Sequence, residues 1–206
     1  MTLRHLRLAA LAACLLSPAI GGWASQGASV QAEAGFRIVT VADSIVTRLP
    51  AHPLYWRVER FATLAEAQAA AGPLALAAEA SGRAWLFTLG AAGGATPGGQ
   101  IMAEIGPVPI VAASRYLLRI NHAGGPPGAR TPVHSHPGSE AFYVLAGQLT
   151  QRTAHGVARL DAGEAMNGHQ PGQAMQLTSS GAVPLDQLVM FVVDADRPFA
   201  PAARLD

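Results

Sequence analysis

The side chains best suited to chemistry in this chain are two imidazoles and a carboxylate close in sequence, His134, His136 and Glu140. Histidines two apart on an extended strand project from one face. Pro137-Gly138-Ser139 then breaks the strand and re-aims the chain. Glu140 opens the next strand, with apolar Phe142 and Val144 on its own face. If that face is interior, two imidazoles and a carboxylate meet in apolar surroundings, where such groups persist only when paired or metal-bound. Two nitrogens and one oxygen with open positions suit a divalent metal ion: iron, manganese, zinc, nickel or copper. A bare His-x-His is also common as loop polarity, so the surrounding pattern has to decide.

Composition closes off most other chemistry. All 14 basic residues are Arg and none is Lys, so Schiff-base chemistry and Lys-containing phosphate loops are excluded. Cys14 is the one thiol, which excludes a disulfide framework and a Cys-ligated zinc or iron–sulfur centre. A codon bias toward Arg and Ala is the simplest source of the missing Lys. Half of the 206 residues are apolar and 13% are charged, a composition for one packed domain with an appendage. The Arg are scattered and the net charge is +1, so neither a nucleic-acid footprint nor a polybasic membrane patch is expected.

The first residues read as an export signal. MTLRHLR is basic, LAALAACLL is apolar, and Gly22 and Ala24, or later Ala32 and Ala34, offer cleavage sites. Residues 1–24 are therefore expected to be a signal peptide, with cleavage as late as 34, and the protein to be periplasmic or secreted. Its removal leaves 12 Arg against 13 acids, a net charge of −1, and no thiol. A rival reading makes Leu11-Ala12-Ala13-Cys14 a lipoprotein box with Cys14 acylated, the one route to a membrane.

The elements that must hold the three residues come next. Residues 25–110 read as an N-terminal α/β extension and 111–206 as a barrel. FRIVTV and the stretch around Trp56 are strand-like. Thr63 and Glu66 form a capping box for a helix over LAEAQAAA, stopped at Gly72-Pro73. LALAAEA after Pro73 reads as a second short helix. RAWLFTL and IMAEIG, separated by a Gly-rich loop, read as a hairpin. That loop lacks the spacing of a dinucleotide site. RYLLRIN, VHSH, EAFYVLAG, QLTQRT, GVARLD, AMQLTSS and LDQLVMFVVDA follow as strands. Turns recur every eight to twelve residues, the spacing of an antiparallel sandwich or barrel.

The order Gly128, five residues, His134-x-His136, three residues, Glu140, six residues, Gly147 resembles the first motif of the cupin superfamily at every fixed position. The resemblance is best over about residues 115–195. It implies an all-β fold, a cupin-type double-stranded β-helix (jelly-roll barrel), with a metal at its mouth. The implied ligands are His134, His136 and Glu140, plus a His from a second motif. In that second motif Gly163 and the Pro171-Gly172 turn fit, but Met175 or Gln176 stands where the last His belongs. The fourth ligand is thus open: His169 from the turn, Met175 or Gln176, or water, with loss of the metal as a further alternative.

Arg130 could hold an anion at the mouth, and Arg115 or Arg119 could line the cavity or face water. Tyr143 falls opposite Glu140. Met175, Leu177, Met190 and Val192 read as interior packing, and His122 and His155 as surface turn residues. Ser135 points away from the His pair. The expected function is an exported metal-dependent cupin acting on a small molecule as a dioxygenase, isomerase or lyase. The alternatives are a non-catalytic small-ligand-binding cupin and a structural cupin, with a homodimer compatible with each. A metal site requires the donors to converge to about 2.0–2.3 Å from one point.

Overall fold

A computed structural model describes residues 35–168 and 170–205. The proposed signal segment, its cleavage sites, Cys14 and His169 lie outside the described residues. In chain order the described elements begin with β1 (Arg37–Val46), β2 (Tyr55–Phe61), α1 (Leu64–Ala70), β3 (Ala75–Ala80), β4 (Arg83–Gly90) and β5 (Gln100–Ile105). They continue with β6 (Tyr116–Gly125), β7 (Gly138–Ala146), β8 (Gln148–Thr153), β9 (Gly156–Asp161), β10 (Ala165–Asn167), β11 (Met175–Ser179) and β12 (Leu185–Asp194).

These strands make three antiparallel sheets stacked as layers. The middle sheet has the order β1-β6-β12-β7-β10, and the sheet β11-β8-β9 covers one of its faces. Together they form the jelly-roll barrel, cored by residues such as Phe142, Val144, Leu149, Met175 and Phe191. The sheet β3-β4-β2-β5 covers the other face, with Trp56, Trp85 and Phe87 packed on Ile120, Tyr143 and Met190. Being sandwiched on both faces explains why β7 and β12 are buried nearly end to end rather than at alternate residues. Met190 and Val192 accordingly pack on the N-terminal sheet, while Val189, Phe191 and Val193 face the barrel interior. No helix of the described residues is long and apolar enough to cross a membrane.

The extension is continuous with the barrel, since β1 is hydrogen-bonded along β6. Helix α1 forms where Thr63 caps it: the Glu66 backbone N–H donates to Thr63 Oγ1 over 3.2 Å. Its buried Ala67 packs with Phe61, Ala84 and Leu86.

Three local expectations are corrected. LALAAEA is strand β3, not a helix. Ser81 and Gly82 adopt positive φ values of 51° and 65°, the two-residue turn that suits a hairpin, and β3 pairs with β4 along its length. Ala78 and Ala80 are buried on one face, so tertiary packing overrides the helix propensity of alanine. Strands β4 and β5 do not pair with one another, because β2 lies between them and bonds to both. VHSH is not a regular strand: His134 makes single bridges to Met175 and Ala202 between the flanking prolines.

Candidate metal centre

His134, His136 and Glu140 are all buried, at 4%, 3% and 1% exposure. The His134 and His136 ring centroids lie 5.0 Å apart, edge to face. His136 Nε2 lies 3.7 Å from Glu140 Oε2. The three side chains thus share one buried region although they do not sit on regular strands throughout. Among the described residues, no three His, Cys, Asp or Glu side chains are grouped tightly enough to hold an ion as they stand.

Each imidazole is oriented by a backbone acceptor. His134 Nδ1 donates to the Pro132 carbonyl over 2.8 Å, and His136 Nδ1 donates to the Phe199 carbonyl over 2.7 Å. A carbonyl only accepts, so each ring carries a proton on Nδ1, and in the neutral ring the lone pair falls on Nε2. Metal-binding histidines are commonly held in this way, by a backbone carbonyl that fixes the ring's orientation. His136 is further packed against Phe191 and Phe199, each at 4.8 Å between centroids.

Glu140 sits on β7 with Phe142 and Val144 toward the barrel interior, while Ala141 and Tyr143 face the N-terminal sheet. Gln151 on β8 donates from Nε2 to Glu140 Oε1 over 3.1 Å and to Met175 Sδ over 3.3 Å. Burial pushes the Glu140 carboxyl well above its ordinary range, and the Gln151 bond opposes this. Burial also lowers the His134 imidazole, which keeps that ring neutral and able to donate a lone pair. Burial thus favours the neutral form of both groups; a cation bound here would have to displace the Glu140 proton, since only the carboxylate ligates.

The second-motif turn closes over the site. The Gly168 N–H donates to the Glu140 carbonyl over 2.9 Å, and the Gly172 N–H to the His136 carbonyl over 2.8 Å. A Cβ on Gly168 would meet Glu140 Cγ at 2.5 Å, so only glycine permits this approach. Gly147, at φ 73°, likewise admits no Cβ, which would fall 2.6 Å from the Pro184 carbonyl oxygen. Of the alternatives for the missing second-motif His, Met175 lies beside the site through Gln151. Gln176 does not, because its Nε2 donates to the Thr131 carbonyl over 3.0 Å.

Other candidates separate cleanly. Arg130 is exposed, and Arg115 pairs with Asp196 at the surface. Arg119 lies on the barrel face, with its guanidinium 4.5 Å over the Phe199 ring. His122 is not in a turn. It lies on β6, 2.6 Å from Asp186, with Ser81 donating to the same carboxylate over 2.6 Å. His155 is exposed as expected. Sequence reasoning missed Gln151, Phe191 and Phe199. The alternation of Leu149 and Gln151 in QLTQRT was the available signal for Gln151; Phe199 lies beyond the last strand and carried none.

Residues 124–167 match the family model described as cupin domain, a segment that holds both histidines and Glu140. The cupin resemblance of the sequence is thus supported over that segment. No curated protein matches the chain. Similar solved structures include a cupin-like protein of Thermotoga maritima, at 20% identity and TM-score 0.38, covering 42% of this chain and 64% of that one. The DMSP lyase DddQ of Ruegeria pomeroyi aligns at 24% identity and TM-score 0.37, over 42% of this chain and 43% of that one. The polyketide cyclase RemF of Streptomyces resistomycificus aligns at 18% identity and TM-score 0.35, over 43% and 62%. The chain thus spans less than two thirds of each of these proteins.

Proposed function

We propose that this is an exported cupin that binds one divalent metal ion through His134, His136 and Glu140 and acts on a small molecule at the barrel mouth. The carrying observation is the pair of Nδ1–carbonyl bonds, which presents both buried rings as Nε2 donors beside a buried carboxylate. The donor set fits divalent iron, manganese, zinc, nickel or copper, with Met175 or His169 as a candidate fourth partner. When bound, the ion would supply Lewis acidity or oxygen activation. The protein's own residues exclude water with Phe191 and Phe199 and hold Glu140 through Gln151. They also keep a carboxyl able to carry a proton at Oε1 or Oε2. Elemental analysis of the mature protein tests the proposal against a His134→Ala/His136→Ala variant. About one metal per chain in the wild type and none in the variant is expected. Equal content in both sinks the assignment.

A second reading, a cupin that binds a ligand or serves structure without catalysis, has one specific observation in its favour. The interior beside the cluster is filled by Phe142, Leu149, Met175 and Phe191, all at most 3% exposed, and Met175 stands at the place of a ligand. Metal content without turnover of any small-molecule panel would favour it.

A further inference from the structure

We infer that Arg119 is the residue that recognises a carboxylate on the molecule entering the barrel mouth, and that the Phe199 side chain covers it until that molecule arrives. The inference rests on reading His134, His136 and Glu140 as the site. Strand register puts four residues in one rung across the middle sheet. Asp43 pairs with Arg119, Arg119 with Phe191, and Phe191 with Glu140. Directly opposed residues of an antiparallel sheet point to one face, and here that face is the barrel interior. Opposed Cα atoms lie about 4.5–5.5 Å apart, so Arg119 stands about 10 Å from Glu140 along the rung. A ligand of a few carbons spans that interval.

The guanidinium is held but not saturated. Its Nη2 donates to Asp43 Oδ2 over 3.2 Å, while its Nε is buried with no acceptor among the described residues. Asp43 is exposed at the sheet edge and orients the group more than it neutralises it. A buried guanidinium N–H without an acceptor is costly, and a carboxylate matches the fork of donors that Arg presents. The group now lying over it is an aromatic ring. The Phe199 ring lies 4.5 Å from the guanidinium and packs tilted against the His136 ring at 4.8 Å between centroids, so it fills the space between Arg119 and the candidate centre. Phe199 is only partly buried, and it holds His136 through its backbone carbonyl. Rotation of its side chain can therefore uncover Arg119 without releasing His136.

The test is calorimetric binding of succinate to the full mature protein, with neutral succinamide as the isosteric control. Metal content is measured on the same samples. Succinate is expected to bind more tightly than succinamide and more weakly as salt rises. Arg119→Gln should weaken it about tenfold or more with metal content unchanged. Arg119→Lys, which keeps the charge and loses the fork, should fall between. Phe199→Ala should bind succinate at least as tightly as the wild type. Equal affinities for succinate and succinamide, or an unchanged affinity in Arg119→Gln, overturn the inference and leave the metal reading intact. No binding to the wild type or to Phe199→Ala overturns it as well. Arg119-dependent binding by a protein without metal supports the inference and sinks the metal reading.

Discussion

The Nδ1–H of His136 donates to the Phe199 carbonyl at 2.7 Å across 63 residues of sequence. The segment after β12 thus orients a side chain of the histidine motif. The same segment bonds Ser135 N–H to the Pro201 carbonyl and Ala203 N–H to the Val133 carbonyl, both over 3.1 Å. It runs beside the histidine loop as an improvised strand and supplies the order that VHSH lacks by itself.

Truncation before Phe199 should therefore weaken metal binding about 10–100-fold, the usual effect of losing the group that orients a ligating histidine. Phe199→Ala keeps the carbonyl and should change metal affinity by only a few-fold. Competition titration with a chromophoric chelator measures both. Equal losses in the two variants would assign the effect to the ring.

The metal-free protein should show opposed pH effects at the site. The Glu140 carboxyl is raised in the fold, so its stabilising contribution is full below its ordinary value of 4.5 and is lost as pH rises through the raised one. The His134 imidazole is lowered, so its contribution is present above 6.5 and is lost as pH falls. Urea unfolding across pH should show Glu140→Gln gaining on the wild type as pH rises from 4.5. A difference independent of pH would contradict the raised carboxyl.

Gln151→Ala removes a buried donor to Glu140 Oε1 and its contact with Met175 Sδ. The expected cost is about 1–3 kcal/mol. In a Glu140→Gln background the cost should differ, because the two side chains interact directly. A double-mutant cycle by chemical denaturation gives the coupling; zero coupling would refute the contact.

Gly168→Ala should push Glu140 out of place, because the new Cβ would fall 2.5 Å from its Cγ. Metal affinity should drop more than global stability. Alanine at exposed Gly172 would be strained by its φ of 77° but meets no neighbour, so it should spare the site.

Trp85→Ala should cost about 3–5 kcal/mol, the range for deleting a large buried aromatic. Trp85 is 0% exposed and packs edge-on to Tyr143 at 6.2 Å between ring centroids, joining the N-terminal sheet to the barrel. Thermal unfolding should show one lowered transition if the layers unfold together. Two transitions would mean that the layers are independent.

Strand periodicity and turn spacing made the barrel readable before any coordinates, since alternation and breakers are local properties. The motif glycines were readable for the same reason. Alanine-rich β3 was not, because its state depends on a partner strand and a buried face, and helix propensity alone points the other way. The separation of β4 from β5 was equally hidden: which strand fills the gap is a question of packing between distant segments.

At the candidate centre, the residue types and their spacing alone singled out His134, His136 and Glu140 as the candidate place for chemistry. They left no Lys, and Cys14 as the one thiol, to compete. Only the tertiary structure decided how those side chains are held. Gln151 reaches Glu140 from a neighbouring sheet, Phe199 reaches His136 from beyond the last strand, and the rung from Asp43 to Glu140 exists only once four strands are in register. The orientation and burial of these groups come from contacts between residues far apart in the chain, and sequence spacing carries no record of them.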